Sequence, residues 1–186
     1  MAMSPIEICN AALTLLGDNV IASFEESSTP ARLCAAQWPL CRNAVLRMHP
    51  WNCAIRRQVL APVAAAPVSE YSAAFNMPGD LVRLLSIDGL REDYCIEGRQ
   101  ILCNQSSITI RFVYRNEDVS TYDALLTEVL SYYLAAKLAY PITKSNTTAE
   151  SMLALFKTIM PAAKNIDAQE EPMQQFGESS FITVRG

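Results

Sequence analysis

Apolar residues recur every three or four positions in four stretches of this chain and alternate singly in the stretch between the second and third. The first stretch predicts a short helix. Ser4 and Glu7 form a capping-box pattern, Pro5 occupies the first turn, and Cys9, Ala12, Leu13 and Leu16 share one face before Gly17, a natural left-handed stop. After a polar loop over 18–28, Thr29-Pro30 repeats the cap-and-proline start. A second helix then carries Leu33, Ala36, Leu40, Cys41, Ala44, Val45 and Met48 on its apolar side. Pro39 lies inside this run and is expected to bend it, and His49-Pro50 ends it.

From Trp51 the period changes. Residues 53–60 predict a strand, followed by an alanine- and proline-rich connector over 61–67; residues 71–76 and 81–87 predict strands around Pro78-Gly79. Residues 93–96 and 100–103 flank Glu97-Gly98-Arg99 as a hairpin. Over 108–114, Ile108, Ile110, Phe112 and Tyr114 point one way and Thr109, Arg111 and Val113 the other. Short strands with tight connections predict a small antiparallel sheet or barrel. A long helix from Ser120 or Thr121 to Tyr140 follows, apolar on several sides and closed by Pro141. Thr147 and Glu150 give another capping box. It opens a helix with Met152, Leu153, Phe156, Ile159, Met160, Ala163 and Ile166 on one side and a kink expected at Pro161.

This order predicts an α+β fold: a bundle of about four helices (1–52 and 119–168) with an inserted strand-rich part (53–118) and an extended C-terminal arm (169–186). The arm is polar and acidic at first and ends in Phe181-Ile182-Thr183-Val184. Its sticky end suits strand addition or insertion into a groove of a partner, or docking on its own body. Phe176, Phe181, Ile182 and Val184 are its candidate contact residues.

With 186 residues, the chain can bury a sizeable core without staples. The 51% apolar content fits either a large core or surface kept for partners. A net charge of −4 argues against a free-standing nucleic-acid binder. The arginines other than Arg185 fall between Arg32 and Arg115, whereas residues 116–171 are mildly acidic. Such asymmetry suits head-to-tail contact between copies, and solvated faces produce it too. No stretch approaches the roughly 18 consecutive apolar residues of a membrane span, and the start of the chain has no secretory-signal pattern. The cysteines Cys9, Cys34, Cys41, Cys53, Cys95 and Cys103 never reach CxxC spacing, so buried thiols in a reducing cytosol are expected.

Catalytic chemistry finds little purchase in the sequence. His49 is the single histidine, so any triad must use it, yet nothing around it resembles a nucleophile motif, and a capping or packing role is expected. The scattered cysteines offer no zinc spacing, and Gly79, Gly89 and Gly98 are isolated turn glycines with no phosphate loop; no metal or cofactor is expected. The paired acids Glu25-Glu26, Glu92-Asp93 and Glu170-Glu171 could suggest glycoside hydrolysis, with Trp38 and Trp51 as sugar platforms. Solvated acids and core tryptophans are the simpler reading. A peptidoglycan hydrolase is therefore the enzymatic alternative to a structural role.

Several short motifs, taken in order, resemble a known family. They are Ala11-Ala12-Leu13 through Gly17, the Arg32–Met48 helix with Arg42, Ala44, Val45, Leu46 and Arg47, and His49-Pro50-Trp51-Asn52. The 71–87 segment with Pro78, Asp80 and Arg83-Leu84-Leu85 and the Tyr132-Tyr133-Leu134-Ala135 stretch continue the series. The chain is similar to the tail tubular protein A family of short-tailed bacteriophages, the head-to-tail adaptor or gatekeeper subunits. The likeness runs from Ser4 to about Gly177 and departs from the pattern at Cys53 and Pro39. It implies a non-enzymatic virion protein, made in the bacterial cytoplasm, of which twelve copies form a ring beneath the portal protein. The helices and the arm would meet the portal, and the strands would face the tail nozzle (tail tubular protein B). DNA would pass through the channel without sequence readout, with no membrane involved.

Overall fold

The computed structural model describes residues 3–65, 67–90 and 93–170. Helices α1 (Pro5–Leu15), α2 (Thr29–Met48), α3 (Ala124–Thr143) and α4 (Asn146–Glu170) form the body. Between α2 and α3 lie strands β1 (Ile55–Leu60), β2 (Ala73–Asn76), β3 (Leu81–Ile87), β4 (Tyr94–Glu97), β5 (Gln100–Cys103) and β6 (Ile108–Tyr114). The fold is α+β, a four-helix body with inserted antiparallel strands. Those strands form two three-stranded sheets, ordered β1-β6-β3 and β2-β5-β4.

α3 is the hub of the body, with α1, α2 and α4 all packed against it. Leu126, Val129, Leu130, Leu134, Ala135 and Leu138 are fully buried, covering more than one side of the helix, as its nearly continuous apolar sequence requires. The insertion has a second core made by both sheets: Leu60, Phe75, Ile87, Ile101, Ile110 and Phe112. β6 therefore contributes to both cores, with Thr109 and Arg111 half-buried. Ile110 and Phe112 enter this second core, while Val113, with Ile55, Val82 and Leu85, packs into the helical one. The helical body and the insertion are thus two cores sharing one sheet. β1 meets β6 in unbroken register from Ile55↔Val113 to Leu60↔Ile108, whereas β3 meets it with irregularities between Leu81 and Arg83 and between Leu84 and Ser86. The β4–β5 hairpin pairs Glu97 with Gln100. Its first loop residue, Gly98, has φ of 57°, which a two-residue hairpin turn demands and a side chain would strain.

Element ends depart from the sequence pattern where short polar side chains compete for caps. The Ser4–Glu7 capping box forms, but Ser28 rather than Thr29 caps α2, its hydroxyl accepting the Ala31 N–H. α3 starts at Ala124, later than Thr121, because Val119–Thr121 forms a separate 3-10 turn and the Asp123 carboxylate accepts the Leu126 N–H. Pro141 does not close α3. It sits in the last turn, and Lys144, at φ of 58°, ends the helix by donating to the Tyr140 carbonyl. At α4, Ser145 accepts the Thr148 N–H, so the expected start at Thr147 moves to Asn146. α2 runs through Pro39 and α4 through Pro161 without a break. Five residues expected on apolar helix faces, Ala36, Leu40, Met48, Leu153 and Ile166, are exposed.

Trp51 is fully buried, and its indole N–H donates to the Val45 carbonyl at 3.0 Å. Trp51→Ala is expected to cost about 3–5 kcal/mol through lost burial and the cavity left behind, read as a lower denaturant midpoint.

Candidate functional site

Two features stand out once the fold is assembled: a clasp built on His49, and a pair of apolar surfaces on the helical body. The clasp begins where α2 ends. His49 leaves the helix in an extended conformation, and its ring meets the edge of Trp51 at 4.9 Å between centroids. Its Nε2 lies 3.0 Å from Oδ2 of Asp167, near the end of α4. The other oxygen of that carboxylate accepts the Asn52 backbone N–H at 3.0 Å, and the Asn52 side-chain amide donates to the Asp167 carbonyl at 2.6 Å. The Asp167 side chain is only 5% exposed, which is tolerable because both of its oxygens have partners.

A histidine–carboxylate pair invites comparison with a catalytic dyad, but the third position of a triad is taken up differently. The nearest thiol in sequence, Cys53, is pushed up to about 12 by burial and then by the neighbouring Asp167 and Asp123 charges, so it stays a thiol near neutral pH. Burial likewise pushes Cys41 up to about 11. Among the described residues, no cluster of histidine, cysteine, aspartate or glutamate could hold a metal ion. Glu26 accepts the Ala22 N–H, and that bond, then one from Ser28, holds its carboxyl below the ordinary range, the reverse of what a general acid needs. Trp38 and Trp51, considered as sugar platforms, are both buried. Glu92 and Glu171 lie outside the described residues, as do the arm residues Phe176, Phe181, Ile182 and Val184.

Many of the arginines of the basic middle are used at the seam between body and insertion. Arg42, itself 7% exposed, pairs with Glu117 at 3.1 Å, and Arg115 joins the same carboxylate at 3.3 Å. Arg56 lies over the Tyr114 ring at 3.9 Å and pairs with Asp80 at 2.6 Å. Arg47 donates to the Val82 carbonyl and Arg83 to the Arg47 carbonyl, so two arginines tie the end of α2 to β3.

The apolar surfaces come from α1, α3 and α4. A groove of about 500 Å³ runs between α1 and α3, lined by Met3, Ala11, Leu15, Ala124, Glu128 and Tyr132, among others. Tyr133, which meets Phe156 of α4 at 4.9 Å, lies half a turn around α3 from the middle of that lining, so α4 covers the opposite side. On α4, Leu155, Ala162 and Ile166 share an exposed apolar row beside Ile159, which packs on the helical core. Leu155 is 41% and Ile166 48% exposed. The body thus carries an apolar groove between α1 and α3 and a separate exposed apolar row on α4. Periodicity hinted at an apolar α4, but only the packing separates the row facing α3 (Phe156, Met160, Ala163) from the row facing outward. No helix among the described residues is long and apolar enough to cross a membrane.

No family model matches the chain, and no curated protein matches it significantly.

Asp167→Ala strips the partners from the Asn52 N–H and from His49, and is expected to cost about 2–4 kcal/mol, read from chemical denaturation. Alkylation of the native protein at pH 8 is expected to modify Cys95 while leaving Cys41 and Cys53 unmodified, as peptide mapping would show.

Proposed function

We propose that this protein is a structural subunit of a head-to-tail adaptor ring in a short-tailed bacteriophage, seated between the portal protein and the tail nozzle with DNA passing through the channel. The observation that carries the reading is the pair of separate, unlike apolar surfaces on the helical body, the α1–α3 groove and the exposed row of α4. A cyclic ring needs two different complementary patches per subunit, whereas a two-fold dimer needs one self-complementary patch. The α1–α3 groove and the exposed row of α4 are two such unlike patches on different helices. The ordered motifs from α1 through the His-Pro-Trp-Asn element to α3 supply the resemblance to the adaptor family. The clasp and the arginine seam support it by giving the insertion a fixed attitude on the body, as a subunit meeting a different partner at each end would require. In this reading twelve copies assemble, the helical body and the C-terminal arm meet the portal, and the insertion faces the nozzle.

Electron microscopy of the purified protein mixed with its cognate portal is expected to show a twelve-fold collar on one end of the portal. Truncation after Met173 is expected to weaken attachment without lowering the denaturant midpoint. A folded protein and a competent portal that form no complex would overturn the assignment.

A further inference from the structure

A further concavity lies where the end of α2 meets the turn before β3. It holds about 330 Å³ and is lined by Asn43, Arg47, Gly79, Asp80, Val82 and Arg115, among others. The side-chain acceptors of that lining are already taken. The Asp80 carboxylate pairs with Arg56 at 2.6 Å, and the Asn43 side-chain oxygen accepts the Arg42 Nε–H at 3.2 Å. Two carbonyls are taken as well, that of Val82 by Arg47 and that of Asp80 by the Arg115 backbone N–H. Donors, by contrast, are left over. Arg47 spends one N–H on the Val82 carbonyl, and Arg115 turns only its Nε to Glu117. The Asn43 amide NH2 and the backbone N–H groups of Gly79 and Asp80 donate to none of the described residues.

Charge is unbalanced in the same direction. Arg42, Arg47, Arg56, Arg83 and Arg115 are joined around this concavity by the contacts already described, and only Glu117 and Asp80 answer them. Asp118, beside Glu117, is turned to the Ser120 N–H and hydroxyl. Five guanidiniums against two carboxylates leave three positive charges in excess, in a chain whose net charge is −4. Arg47 and Arg83 are exposed and pair with no acid among the described residues. Like charges gathered in a concave place focus their field and repel one another unless an anion sits among them.

A single carboxylate answers little of this excess, since Glu117 already serves two guanidiniums and leaves it standing. A phosphate group brings about two negative charges and three acceptor oxygens, which suit forked guanidinium donors. We propose that this concavity binds phosphate groups, with Arg47 and Arg115 as direct ligands and Asn43 and the turn N–H groups as neutral donors. A short polyphosphate and a nucleic-acid backbone share that chemistry. The site stands apart from the adaptor reading, which rests on apolar surfaces of α1, α3 and α4.

The test is phenylglyoxal modification of arginines in the native full chain, followed by peptide mapping. It is run with sodium pyrophosphate, with a short DNA duplex, with poly-L-glutamate, and with sodium chloride at matched ionic strength. Pyrophosphate at about ten times its Kd is expected to slow modification of Arg47 and Arg115 about tenfold. Arg32, fifteen residues before Arg47 on α2 and roughly 22 Å away along its axis, should react at an unchanged rate. Arg115→Gln is expected to weaken pyrophosphate binding, read by calorimetry, about tenfold, the worth of one charged hydrogen bond. Its denaturant midpoint should match the parent, because Glu117 keeps Arg42. Protection by the duplex as well, fading as salt rises, assigns the phosphate to a nucleic-acid backbone, and protection by pyrophosphate alone assigns it to a small ligand. Protection no greater than that by chloride, or equal protection of Arg32, would overturn the site. Equal protection by poly-L-glutamate would overturn it in favour of an acidic protein segment. None of these outcomes bears on portal binding, so the two readings fail separately.

Discussion

The Asp167 carboxylate holds the architecture together at its weakest point. The chain leaves the helical body at His49 to build an insertion of some sixty residues and returns only at Asn116. An insertion joined by two strands of chain would swing unless its neck were fixed. Asp167 fixes the outgoing strand by taking the Asn52 N–H and facing His49, which pins residues 49–52 to the far end of α4. Asn116, 1% exposed, fixes the return: its amide donates to the Cys53 carbonyl at 2.7 Å and to the Thr121 hydroxyl at 2.8 Å, while its own carbonyl accepts the Tyr122 hydroxyl at 2.6 Å. Tyr114 adds a bond to the same Cys53 carbonyl. Both crossings are therefore stitched by buried polar groups whose partners are specific and whose loss leaves unsatisfied donors.

With the neck fixed, the shared sheet can serve two cores. β6 sends Val113 into one core and Phe112 into the other, so the helical body and the insertion cannot shift relative to each other without exposing one of them. The arginine contacts at the seam act in the same direction. Arg42 and Arg47 come from α2, and their partners Glu117 and Val82 come from the insertion or its return. The basic character of the middle of the chain is thus partly consumed internally.

The helical body is correspondingly asymmetric. α3 is buried against three helices, and each of its sides meets a different one. α4 packs only one face on α3, and its remaining circumference splits into an apolar row and a lysine-flanked groove.

The four helices, the six strands and the α+β class were legible in the sequence because they depend on local signals: apolar spacing, Gly98 at a hairpin loop, and the Ser4–Glu7 box. Cap positions were less legible, since Ser28 and Thr29, or Asp123 and Thr121, are chemically near-equivalent neighbours and packing chooses between them. His49 was identifiable as a helix-end residue, but its partner Asp167 lies 118 residues away, and no local pattern links the two. The same holds for the burial of Arg42, for the split of the β strands into two sheets, and for the division of α4 into inward and outward apolar rows. Sequence by itself determined which segments are helix or strand, because backbone preference and side-chain periodicity act over a few residues. Only the tertiary structure decided which apolar faces meet one another and which stay exposed, because that depends on contacts between segments far apart in the chain.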